Sequence, residues 1–195
     1  MTTASVGEGI WVLGIIAWYV IRYPFERRAK RVQVVRDSRS QSDTLGLAAA
    51  LLGMAILPAL YLATGFPRSA DYLARAWAIA LGTVIFASGL LLFRVSHKQL
   101  GRNWSITLQI RREHRLVSTG PYALIRHPMY TSFLLMALGQ AFLLSNWVVG
   151  LAGLLGFAVL FLLRVDKEEH MMLENFGPEY RPYMKRTKRI IPYLY

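Results

Sequence analysis

Two short groupings of charged and aromatic residues carry the side chains that chemistry needs. The first is Leu163-Arg164-Val165-Asp166-Lys167-Glu168-Glu169, which follows directly on an apolar run. If a helix continues through it, Arg164 and Glu168 lie four residues apart on one face. A guanidinium makes a planar, two-pronged grip on a carboxylate or phosphate, and a neighbouring glutamate can fix its orientation. The plainer reading of this pair is an interfacial salt bridge that closes a membrane span. The second grouping is Arg126-His127-Pro128-Met129-Tyr130. Pro128 suits the first turn of a helix, and Arg126 and His127 before it, with backbone donors behind, form an anion pocket. Taken alone, a His and a Tyr at an interface read as snorkelling anchors rather than ligands.

Other chemistries are excluded or unsupported. The chain has no cysteine, which removes disulfides, Cys-ligated zinc and a thiol nucleophile. His97, His114, His127 and His170 are scattered, and no His-Glu-x-x-His motif occurs, so no metal site is expected. Phosphate-loop, dinucleotide-fingerprint and G-x-S-x-G patterns are also missing.

The elements that must position these groups are apolar helices. The 195 residues are 54% hydrophobic, above the roughly 45–50% of soluble domains. Leu45–Phe66 runs 22 residues without a charge and Trp77–Phe93 runs 17. Both reach the length of a membrane span. Tyr130–Leu163 runs 34 residues with no ionisable side chain besides Tyr130. At 1.5 Å per residue it would extend roughly 51 Å, too long for one crossing of a core about 30 Å thick. Ser145-Asn146 near its middle predicts a tight turn between two helices, Met129–Leu144 and Trp147–Leu163. Residues 9–21 form a marginal first span. A cleaved signal peptide competes there, but no Lys or Arg precedes the apolar run. The expectation is a single all-α integral membrane domain over residues 1–195. Five transmembrane helices are expected, three within residues 1–95, with the last two a hairpin inside the catalytic region 96–195.

The formal charge of +12 tests that layout. Residues 22–43, 94–126 and 164–195 hold seven Lys or Arg each, and the alternate segments hold Arg68 and Arg75 alone, so the split is 21 against 2. That sorting puts the N-terminus outside and the C-terminus in the cytoplasm. The surplus therefore marks topology and attraction to anionic lipid headgroups, and no nucleic-acid motif accompanies it. Both chemical groupings fall on the cytoplasmic side, at the open ends of the hairpin, close to one another.

The order Leu100-Gly101-Arg102-Asn103-Trp104-Ser105, His114-x-Leu116-Val117-x-x-Gly120-x-Tyr122, Arg126-His127-Pro128-x-Tyr130, an apolar hairpin, Arg164-x-x-x-Glu168-Glu169 and Phe176-Gly177-x-Glu179-Tyr180-x-x-Tyr183 with a late Pro192 resembles the isoprenylcysteine carboxyl methyltransferase family. The likeness covers about residues 98–193, and the compact layout looks like the prokaryotic members. The first three spans agree in number and topology alone. The resemblance implies a multi-pass membrane methyltransferase of a prokaryotic plasma membrane that uses S-adenosylmethionine. Carried residue by residue, family cofactor contacts fall on Gln109, His114, Arg115, Leu116, Val117, Tyr122, His127, Pro128, Met129 and Tyr130. The substrate-side pair falls on Arg164 and Glu168. Ser132 stands where a glycine often follows the Arg-His-Pro-x-Tyr motif, and it is small enough for close helix approach.

The implied chemistry suits the residue types. Transfer of a methyl group from a sulfonium to a carboxylate is an in-line displacement by a nucleophile already ionised at neutral pH. It needs alignment and exclusion of water rather than a metal or a base. The expected partners are a lipophilic carboxylate acceptor and membrane lipids. Three other readings stand beside this one. A phospholipid amine N-methyltransferase would require Glu168 or Glu169 as base or ammonium partner. A sterol-type reductase carries a similar Arg-His-Pro-x-Tyr signature on a longer many-span body. A non-enzymatic scaffold or transporter would suit the charge sorting equally well, but no ionisable residue marks a path through mid-membrane.

Overall fold

The computed structural model describes residues 2–31, 34–37, 40–101, 104, 109–111 and 115–194, with the side chains of 34–37 and 109–111 outside the description. Helix α1 (Thr3–Ala29) starts where the Thr2 side chain accepts from the Ser5 N–H, and it carries Arg27 and Arg28 in its last turn. A strand, β1 (Val34–Asp37), leads to α2 (Gln41–Leu51), which opens on a capping box between Ser40 and Asp43. Through a π-turn at Leu52–Ile56 it runs into α3 (Leu57–Thr64), ended by Gly65 at φ 70°. Helix α4 spans Ala76–Leu100, strand β2 Gln109–Arg111, α5 Pro128–Leu143 and α6 Trp147–Arg186.

Four helical stretches are long and apolar enough to cross a membrane: Thr3–Ala29, Gln41–Thr64, Ala76–Leu100 and Trp147–Arg186. The remaining expected span is α5, whose 16 residues reach about 24 Å, short of a core about 30 Å thick. Its neighbours cover it. Met136, Ala137, Leu143 and Leu144 are buried, whereas Leu13, Val84, Leu91, Leu155 and Leu162 on the longer helices are exposed. An outward apolar surface of that kind is solvated by lipid rather than water.

Helix α6 departs most from expectation. The apolar pattern ends at Leu163, but the helix continues to Arg186 for 40 residues in all, with Pro178 and Pro182 inside it. The antiparallel pairing of β1 with β2, Val34 opposite Arg111 and Asp37 opposite Gln109, is also absent from the sequence-based expectation. Charged runs hide a strand pair that no apolar alternation announces.

Packing depends on small residues. A Cβ at Gly53 would collide with the Ala152 carbonyl, and one at Gly156 with the Ala49 carbonyl, so α2 and its π-turn lie backbone-to-backbone on α6. Gln140 ties the same region together. Its amide nitrogen donates to Gly53 O and Val149 O, both at 3.0 Å, and its oxygen accepts from Trp11 Nε1 at 3.2 Å. The predicted turn at Ser145-Asn146 is present. The Asn146 oxygen caps α6 through the N–H groups of Val148 and Val149, and its nitrogen donates to Pro67 O and Asp71 Oδ1.

Candidate functional site

Helix α5 begins where the sequence predicts, with Pro128 in its first turn and His127 at the N-cap position before it. The segment leading in includes a 3-10 turn, Gly120–Ala123, in which Gly120 has φ 61°, a left-handed conformation that disfavours a side chain. The extension of α6 lies alongside. Beyond it the chain returns as a strap: Lys188 O accepts from Arg126 N at 2.7 Å and Arg189 O from His127 N at 2.9 Å. Ile190 O accepts from Thr131 Oγ1 at 2.7 Å.

A buried ionic cluster joins the three pieces. Glu169 Oε1 accepts from Arg126 Nε at 2.8 Å and lies 3.2 Å from His127 Nε2. Its other oxygen accepts from Arg189 Nη2 at 2.9 Å, and Arg189 also reaches Asp166 at 2.7 Å. Arg126 Nη1 donates to the carbonyls of Met184 and Thr187. The His127 ring is thereby held by Glu169 through Nε2, with Nδ1 as its other polar atom. Glu168, the preceding residue, belongs elsewhere: Tyr130 Oη donates to its Oε2 at 2.9 Å. Tyr183 Oη donates to Tyr122 O at 2.7 Å. Burial pushes the Tyr122 phenol well above its ordinary pKa, with the Glu168 and Tyr183 charges adding. Tyr122 is a neutral donor at any physiological pH.

A cavity of about 420 Å³ opens among these groups, within the range of small-molecule sites. One end is polar, bounded by Tyr122, His127, Tyr130, Arg164 and Glu168. The other runs between the helices past Leu47, Met54, Phe86 and Met136 to Gln140. Of the sequence-based candidates, Arg115, Leu116, Val117, Tyr122, His127, Met129, Tyr130, Arg164 and Glu168 line it. Pro128 is fully buried at the start of α5 and does not line it. His114 lies outside the described residues, as does the side chain of Gln109, whose backbone sits in β2. Among the described residues no group of three or more His, Asp or Glu could hold a metal ion.

Residues not singled out from sequence also contribute. Met171 and Met172 line the cavity about one turn beyond Glu168, a spacing legible once α6 is known to continue. Gln140, Trp18 and Arg22 line it from helices that read as ordinary spans. No local sequence signal distinguishes them.

Comparison with known proteins gives a consistent picture. The isoprenylcysteine carboxyl methyltransferase (ICMT) family matches residues 78–174. Protein-S-isoprenylcysteine O-methyltransferase B of Arabidopsis thaliana is 32% identical over 124 residues, 60% of this chain and 61% of that protein. The probable protein-S-isoprenylcysteine O-methyltransferase of Oryza sativa subsp. japonica is 29% identical over 146 residues, 73% of this chain and 74% of that one. The human protein-S-isoprenylcysteine O-methyltransferase is 28% identical, and the match spans 42% of its length. The structure of the eukaryotic intramembrane Ras methyltransferase ICMT shares the fold with a TM-score of 0.55 at 23% identity, covering 82% of this chain and 55% of that one. The matched part thus spans less than two thirds of several of these larger relatives.

Proposed function

The chain belongs to the isoprenylcysteine carboxyl methyltransferase family, and from that premise we propose that it is an S-adenosylmethionine-dependent methyltransferase. Its acceptor is the carboxylate of a lipophilic, isoprenylcysteine-like molecule at the cytoplasmic face of a membrane. The finer layout belongs to the same reading. Residues 1–195 form one domain of five spans, α5 and α6 make the hairpin, the N-terminus is outside and the C-terminus is cytoplasmic. One observation carries the proposal: a single cavity joins a polar end at Arg164, Glu168 and His127 to an apolar interior between the helices. An acceptor with a carboxylate head and a hydrocarbon tail matches both ends.

The polar end also fits a cofactor that is an amphiphilic zwitterion. Leu116, Val117 and the Tyr122 ring offer apolar walls, and the His127 ring and the neutral Tyr122 phenol offer polar contacts. These residues, with Arg115, Met129 and Tyr130, would hold S-adenosylmethionine, and Gln109 and His114 are assigned to it by family likeness. When bound, S-adenosylmethionine supplies a methyl group on a positively charged sulfur. Arg164 aims the acceptor carboxylate, and Glu168, fixed by Tyr130, limits how fully the arginine neutralises it. An orienting contact that weakened the nucleophile completely would slow the displacement, so a shared guanidinium is the better arrangement. The apolar walls exclude water, which strengthens these interactions.

Methyl transfer from labelled S-adenosylmethionine to a farnesylated cysteine compound, with phosphatidylethanolamine alongside, tests the function. Labelling of the first alone is the expected result. Labelling of the lipid amine would establish the N-methyltransferase reading instead, and no saturable cofactor binding in detergent would remove both. Arg164→Ala should lower turnover about a hundredfold or more with cofactor affinity retained. His127→Ala should weaken cofactor binding, and the opposite pattern would reverse the two roles.

A further inference from the structure

The family match begins at residue 78, so the cavity wall supplied by α1 lies outside it. That wall carries a cation. Trp18 and Arg22 stand one helical turn apart and both line the cavity, as does Trp104. The Arg22 Cζ atom lies 5.3 Å from the Trp18 ring centroid and 5.4 Å from that of Trp104. Each indole attracts a guanidinium electrostatically, and together they restrict its plane. The second indole is fixed from behind, because Trp104 packs 4.6 Å from the His97 ring, itself 4.1 Å from Phe93 and 4.9 Å from Phe25. Arg22 Nε donates to Glu26 Oε2 at 3.2 Å. Its two Nη groups make no hydrogen bond to any described residue. A planar cation held in this way, with donors to spare beside a cavity, is a ready grip for an oxygen acceptor.

The reacting carboxylate is a poor candidate for that grip. Arg164 already serves it from α6, and a second guanidinium would draw off more of the charge that must attack. We propose that Arg22 is a positioning and specificity residue for the acceptor. Its Nη groups hold the carbonyl oxygen of the acylamino group next to the reacting carboxylate, with Trp18 and Trp104 packing around that group. The inference rests on the acceptor proposed above, and it makes α1 a reader of the acceptor's polar end.

The test compares two acceptors, N-acetyl-S-farnesylcysteine and S-farnesyl-3-mercaptopropionate, which lacks the acetamido group. With the first, Arg22→Gln should raise KM roughly ten- to hundredfold, the loss expected for a hydrogen bond to a charged donor. Both kcat and the Kd for S-adenosylmethionine should change less than about twofold. With the second, wild type should already show the raised KM, and Arg22→Gln should add nothing further. Arg22→Lys, which keeps the charge but not the stacked plane, should fall between. Equal losses on both acceptors, no loss on either, or weakened cofactor binding would each overturn the assignment. Wild-type protein that binds the cofactor but methylates neither compound would reject the proposed acceptor class itself, a result separable from failure of Arg22.

Discussion

Glu168 and Glu169 are neighbours in sequence but serve different structures. A helix turns about 100° per residue, so consecutive side chains point to different sectors. Glu168 faces the cavity and takes the Tyr130 hydroxyl, whereas Glu169 holds Arg126, His127 and Arg189. Neutralising the two should therefore give different phenotypes. Glu169→Gln leaves buried cations without their counter-charge, a change costing about 3 kcal/mol. It should lower the unfolding midpoint in detergent by roughly 6–12 °C and weaken cofactor binding through His127. Glu168→Gln should leave the midpoint within about 2 °C and act on turnover. Thermal unfolding of the two variants side by side, with cofactor titration, checks the pair. Equal destabilisation would show that both glutamates are structural. The sequence marked Arg164 and Glu168 by their i,i+4 spacing. It gave less weight to Glu169, because its partners lie 20 to 43 residues away and no local pattern encodes them.

Helix α5 and the strap show what depends on pairing between distant elements. Pro128 and the apolar run announced the start of α5, and Ser145-Asn146 announced the turn after it. The strap carried no such announcement, since Thr187-Lys188-Arg189 reads as a solvated basic tail. Four carbonyls of the 187–190 segment, those of Thr187, Lys188, Arg189 and Ile190, nevertheless take donors from the Arg126–Thr131 segment. Truncation after Arg186 should therefore abolish saturable cofactor binding while leaving the protein inserted in the membrane. Binding measured on membranes and on detergent-purified protein checks this, and retained affinity would show that the strap is dispensable. Gln140 poses the complementary case. Gln140→Leu would strand the Gly53 and Val149 carbonyls and the Trp11 indole N–H, three bonds that in a membrane sum to about 2 kcal/mol. A lowered midpoint with normal cofactor affinity is the expected outcome.

At the scale of the whole molecule, charge sorting and helix packing answer separate questions. In the proposed topology, the 21-to-2 division of Lys and Arg decides which way the helices cross. Reporter fusions at residue 195 and within the 65–75 loop should therefore report cytoplasmic and external locations respectively. How the helices meet depends on glycines facing carbonyls, so Gly156→Leu should prevent α2 from seating on α6 and collapse both stability and activity. Apolar length, basic flanks, the Arg-His-Pro-x-Tyr grouping and the Arg164–Glu168 spacing are local properties, legible in the chain because each depends on residues a few positions apart. From them follow membrane residence, helical class and the two ends of the proposed site. The cavity, the Glu169 cluster, the strap and the Arg22 wall are different in kind. Each requires side chains from helices far apart in sequence to arrive within a few ångströms, and burial rather than residue type selects them. Arg22 looks like one more basic residue after a span until folding sets it between two indoles on the cavity wall.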